Sequence, residues 1–147
     1  MTKKVCHITT AHPATDVRIF YKECVSLVKA GYDVTLIAPN ATTAIKDGVK
    51  IMGVEMKSKS RISRMTAGAK AVYGKALEID ADIYHFHDPE FLRYGLKLKK
   101  QRKVVVYDVH EDLPRQVLAK HYIPTPIRRL VATAIEWHED RVAGKLD

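Results

Sequence analysis

The sequence holds only two cysteines, Cys6 and Cys24, among 147 residues, and each falls at an apolar-face position of its element. That excludes a disulfide framework and leaves two reduced, packed thiols as the expectation, with no redox or metal chemistry from them. Glycine and proline are also few, seven and six, and no low-complexity linker or internal repeat is present, so nothing argues for disorder. No apolar run approaches the ~20 residues of a membrane span, and Met1–Lys4 leads straight into a strand without the apolar stretch of a signal peptide, so a cytoplasmic location is expected. One tryptophan, three phenylalanines and no helix-turn-helix signature weaken nucleic acid as a partner. The loop after the first strand, TTAHPATD, contains no glycine, which removes the Gly-x-Gly-x-x-Gly fingerprint of dinucleotide enzymes. No serine sits in a Gly-x-Ser-x-Gly elbow either, so a nucleophilic triad is disfavoured.

What is present is the composition of one soluble domain, 46% hydrophobic and 29% charged, long enough to bury about two-thirds of its unfolded surface around a single core. The net charge of +8 is clustered: Lys57, Lys59, Arg61 and Arg64 in one stretch, Lys97, Lys99, Lys100, Arg102 and Lys103 in another. Such a field attracts anions, although any single lysine is most simply part of a solvated helix face.

Strands are expected at 3–9, 32–38, 49–55, 82–87 and 103–109. Between them fall helices: one from Val17, capped by Asp16, with Val17, Phe20, Cys24, Leu27 and Val28 on one face and Gly31 at its end; a second over about 62–79; a third over about 90–100. A loop follows the last strand, then Thr125-Pro126 opens a helix running to about Ala143. Near-continuous apolar strands alternating with helices predict an α/β fold, a doubly wound parallel sheet of Rossmann-like order 3-2-1-4-5. That order opens a crevice at the carboxyl ends of strands one and four. The chain stops after a long helix where a further strand would be natural, which suggests a piece of a longer protein.

The stretch DIYHFHDPE sits at that crevice. Side chains two apart on a strand share a face about 6.6 Å apart, so His85 and His87 point one way and Tyr84 and Phe86 the other. His85 and the mid-strand His7 read as packed core histidines, whereas His87, fixed at the strand end by Asp88-Pro89, reads as functional. The next strand ends in Asp108 and His110, and the loop after strand one supplies His12, Asp16 and Arg18, so three strand ends converge. Asp16 is as well explained by capping as by contact with substrate. A metal site built from His85, His87, Asp88, Asp108, His110 and Glu111 ranks second, because Pro89 and Glu90 stand where many binuclear hydrolases carry an Asp-His pair.

HITTAHPATDVRIFYKECVSLVKAGYDVTLIAP, DIYHFHDPE and VVYDVHEDLP, in that order and spacing, resemble the amino-terminal half of bacterial group 1 glycosyltransferases, retaining enzymes of GT-B fold. The resemblance covers essentially the whole chain. It implies that residues 1–147 form the amino-terminal, mainly acceptor-binding domain, with a carboxyl-terminal nucleotide-sugar-binding domain lying outside the sequence. It implies transfer of a sugar from a nucleotide-sugar donor to a glycan or lipid-linked acceptor, as in polysaccharide biosynthesis for the cell envelope, with no metal and no cofactor besides the donor. His87 maps onto the histidine that reaches the donor sugar and leaving phosphate, while His12, Asp16, Arg18, Asp88, Asp108, His110 and Glu111 would contact substrate. Many relatives carry paired glycines after strand one; here His12-Pro13 stands instead. The basic segment 57–64, running into an Ala-rich helix, is a candidate for docking on the anionic inner face of the cell membrane. Two other readings remain open from the residues alone, a metal-dependent hydrolase and a non-catalytic module for anionic ligands.

Overall fold

The computed structural model describes residues 1–57, 60–109 and 112–147. Six strands, β1 (Lys4–Ile8), β2 (Asp33–Pro39), β3 (Ala44–Lys46), β4 (Val49–Val54), β5 (Ile83–Phe86) and β6 (Val104–Tyr107), form one sheet in the order β3-β4-β2-β1-β5-β6. All neighbours pair in parallel except β3 with β4. Five of the strands therefore reproduce the expected order, and β3 adds an antiparallel edge. Its source is the turn Asp47-Gly48, both with positive φ (50° and 79°), the backbone that a two-residue hairpin requires. That Asp-Gly signal stands in the sequence inside what reads as a polar loop.

Helix α1 is π-wound over Val17–Cys24 and α-helical over Val25–Lys29. It ends as expected at Gly31 (φ 91°), where Gly31 N–H donates to Val28 O at 3.0 Å and Tyr32 N–H to Leu27 O at 3.1 Å. Helix α2 runs through three consecutive segments, Arg61–Ser63, Arg64–Gly68 and Ala69–Ile79. Helix α3 begins with a 3-10 turn at Pro89–Phe91 and continues over Leu92–Lys100. Helix α4 (Leu113–Leu118), capped by Asp112, occupies part of the expected loop, and α5 spans Thr125–Ala143. Val17, expected on the packed face of α1, is exposed instead, and Ile62 and Met65 near the start of α2 are exposed as well.

Helices cover both faces. On one, Cys6, Ile8, Ile37, Tyr84, Phe86 and Val105 of the strands pack with Ala69, Val72 and Ala76 of α2, Leu98 of α3 and Val142 of α5. On the other, Ile19, Phe20 and Cys24 of α1 pack on Val34, Leu36, Ala38, Val49 and Ile51. Burying side chains of this size is worth about 1.5–3 kcal/mol each, which is what anchors α1 to β2 and β4. This second cluster takes nothing from β1, β5 or β6. Over those strands the α1 side of the sheet is faced by His7 and His85, paired in register across β1 and β5.

Cys6 and Cys24 are both buried and unbridged, on opposite faces of the sheet. Burial pushes the Cys24 thiol up to about 12 and raises that of Cys6 as well. A chromogenic disulfide reagent is expected to titrate neither thiol in the native protein and both after denaturation; reaction of either in the native state would contradict this packing.

Candidate functional site

The site begins with a cap. Asp16 Oδ1 accepts hydrogen bonds from Arg18 N–H and Ile19 N–H, both at 2.9 Å, so the carboxylate is engaged in starting α1. The π winding that follows closes hydrogen bonds over five residues, as in Val25 N–H to Phe20 O, and so stacks side chains five apart. Arg18 and Glu23 are five apart, and Arg18 Nε lies 3.3 Å from Glu23 Oε1. An ordinary α-helix would have pointed them to different sides.

Glu23 reaches down from α1 to the sheet. Its Oε2 is 3.6 Å from His7 Nδ1 and 3.4 Å from His87 Nε2, and those two ring nitrogens are 3.3 Å apart. His85 stacks in the same group, its ring centroid 4.4 Å from that of His7 and 4.7 Å from that of His87. Asp108, just past β6, approaches from the far side: Oδ2 is 3.4 Å from His87 Nδ1 and also pairs with Arg18 Nη2. The result is a buried layer of imidazoles roofed by Glu23, Arg18 and Asp108. The side chains of His7 and His87 have 0% exposure, Glu23 and Asp108 21%, and Arg18 42%.

Electrostatics follows from that layering. Burial, with His85 and His87 close by, holds His7 well below the usual imidazole range, so the ring is neutral. His85 is lowered by burial too, and Asp108 opposes that shift.

A second group holds the loop after β1. Asp88 is buried and accepts from Thr9 Oγ1 at 2.7 Å and Thr10 N–H at 2.8 Å. Thr9 Oγ1 in turn accepts from His12 N–H at 2.9 Å, and His12 Nε2 sits 3.5 Å from Asp88 Oδ1. Thr10 Oγ1 donates to Glu90 Oε1 at 2.8 Å. Burial raises the Asp88 carboxyl, and the hydrogen bonds from Thr10 and Thr9 offset part of that rise.

Of the residues singled out in the sequence, Arg18, His85, His87 and Asp108 come together in one cluster, and His12 lies with Asp88 in the neighbouring one. Asp16 serves as a cap, and Asp88 serves to hold the loop. His110 and Glu111 lie outside the described residues. The ring of His87 is in the cluster but beneath its roof. Two members were missed: His7, read as a plain core residue, and Glu23, which carries no local motif. The signal for Glu23 was its spacing of five from Arg18, which matters only in a π-wound helix. Chemically, the surface presents a guanidinium and a carboxylate side by side, held in place by buried imidazole rings.

A family model described as Glycosyltransferase Family 4 matches residues 17–147, which takes in α1 with Arg18 and Glu23, the His85/His87 strand end and Asp108. No curated protein matches the chain. The match spans 131 of the 147 residues, well over half of the chain, and the sheet order agrees with it. The chain belongs to glycosyltransferase family 4, and its doubly wound sheet is the Rossmann-like amino-terminal half of a GT-B transferase.

Proposed function

We propose that this domain is the mainly acceptor-binding half of a retaining glycosyltransferase that uses a nucleotide-sugar donor and a glycan or lipid-linked acceptor. The observation that supports it best is the Arg18–Asp108 pair, partly exposed at the carboxyl edge of the sheet and mounted on buried histidines. Arginine offers a planar fork of donors suited to phosphate, and a carboxylate accepts a proton-bearing hydroxyl. Retention can proceed with the leaving phosphate itself taking the proton of the incoming hydroxyl, so this half needs no strong base. Its contribution is orientation and stabilisation of developing charge. In this reading Arg18 faces the departing phosphate, Asp108 orients the acceptor hydroxyl, and His12 borders the pocket with its side chain 25% exposed. His87, with no exposed ring surface, acts through Asp108 and Glu23 as a positioning residue.

In the two-domain enzyme that this reading requires, Arg18→Ala is expected to lower kcat about 10²–10³-fold with the thermal midpoint nearly unchanged, the loss typical of one preorganised donor. His87→Asn should lower kcat and leave the donor KM close to that of the parent. Unchanged turnover in Arg18→Ala would remove the pair from the mechanism.

Among the described residues no helix is long and apolar enough to cross a membrane. The start of α2 carries a different feature: Ile62 and Met65 are 76% and 45% exposed, next to Lys57 and Arg61. Apolar side chains flanked by basic ones suit a peripheral contact with an anionic lipid surface, where a lipid-linked acceptor would reside. Co-sedimentation with phosphatidylglycerol vesicles is expected at low salt, to fall at high salt, and to weaken in Lys57→Ala/Arg61→Ala. Equal binding to neutral phosphatidylcholine vesicles, or none to either, would contradict it.

A further inference from the structure

The buried histidine layer brings the donor atoms of three imidazoles and one carboxylate to the spacing of a metal's coordination shell. His7 Nδ1, His87 Nε2 and Glu23 Oε2 form a nearly equilateral triangle with edges of 3.3, 3.6 and 3.4 Å. A tetrahedral site with bonds of about 2.0–2.1 Å to nitrogen and oxygen has ligand–ligand edges of about 3.3–3.4 Å. A point equidistant from the three corners here lies about 2 Å from each, the length of a zinc–ligand bond. His85 completes the set, since one ligand atom from each of the four residues falls within 4.8 Å of all the others. His85 Nε2 is buried and has no hydrogen-bond partner among the described residues.

We propose that His7, Glu23, His85 and His87 bind one divalent first-row cation, Zn²⁺ by the chemistry of the donors. Three imidazoles and one carboxylate are the nitrogen–oxygen set that four-coordinate zinc accepts. The outer groups that a metal site needs are already in place: Arg18 Nε holds the second oxygen of Glu23 at 3.3 Å, and Asp108 Oδ2 stands 3.4 Å from the far nitrogen of His87. The ligands come from β1, α1, β5 and the residue that follows β5, so the ion would be structural. It would pin α1 to the centre of the sheet beneath Arg18 and Asp108. The set differs from the one suggested by the sequence, because Asp88 is taken by Thr9 and Thr10 and turned away from the layer.

The test uses the chain stripped with a chelator and titrated with Zn²⁺ alone. One ion per chain should survive gel filtration in metal-free buffer and raise the thermal midpoint, and Co²⁺ in its place should give the intense visible bands of a tetrahedral site. Glu23→Gln should abolish stoichiometric retention, and Asp108→Asn should weaken it about 10–100-fold. His121→Ala/His138→Ala, which removes surface imidazoles, should leave retention unchanged. Should Glu23→Gln fail to fold, X-ray absorption of the Zn²⁺-loaded parent decides, with a first shell of about four nitrogen or oxygen neighbours near 2.0 Å expected. Absence of retained Zn²⁺ in the parent, retention undiminished in folded Glu23→Gln, or a six-coordinate Co²⁺ spectrum would each overturn the site. None of these readouts depends on sugar transfer, so the transferase reading stands or falls separately.

Discussion

The constraint on which the site depends is that three imidazoles occupy sheet positions where a doubly wound fold ordinarily buries aliphatic side chains. Buried polar rings must find partners or destabilise the domain by roughly 1–3 kcal/mol for each group left unpaired. Those partners come from α1 and from the strand end beyond β6: Glu23 for His7 and His87, and Asp108 for His87, while His85 Nε2 stands 3.9 Å from Asp108 Oδ2, beyond hydrogen-bond reach. Each carboxylate is then tied to Arg18. The roof of the crevice is thus fixed by the needs of the layer below it. A surface guanidinium and carboxylate would otherwise hold each other only weakly, because exposed ion pairs contribute little.

The helix start transmits this requirement along the chain. Asp16 sets the first turn, the π winding aligns Arg18 with Glu23, and Phe20 and Cys24 seat the opposite side of α1 on β2 and β4. One local departure from α geometry therefore serves packing and polar placement together. The neighbouring loop is secured independently by Asp88, which explains how a segment without glycine keeps a fixed path past the strand ends.

The parallel strands, their order and the two-sided covering were legible in the sequence because each rests on periodicity and on the handedness of crossovers, both local or nearly universal. The edge strand β3 was missed although Asp47-Gly48 announced it; three exposed residues leave no apolar pattern to read. Helix α4 was missed for a similar reason, as six residues opening on Leu113-Pro114 look like a turn. At the site, residues that share a strand, such as His85 and His87, were readable from the pleat. Glu23 was not, since its meaning depends on a winding that no spacing rule for α-helices contains. Asp88 and His87 illustrate the remaining limit: spacing located both at the crevice, but only packing shows that one faces the loop and the other lies under the roof.

The link between α1 and the imidazole layer is tested most directly by a double-mutant cycle on stability in metal-free buffer, combining Glu23→Gln with His7→Gln. Contact between the two side chains predicts a coupling energy of about 0.5–3 kcal/mol in urea unfolding. Additivity of the two single changes to within about 0.3 kcal/mol would show that Glu23 does not reach the layer, and the account of the site would fail.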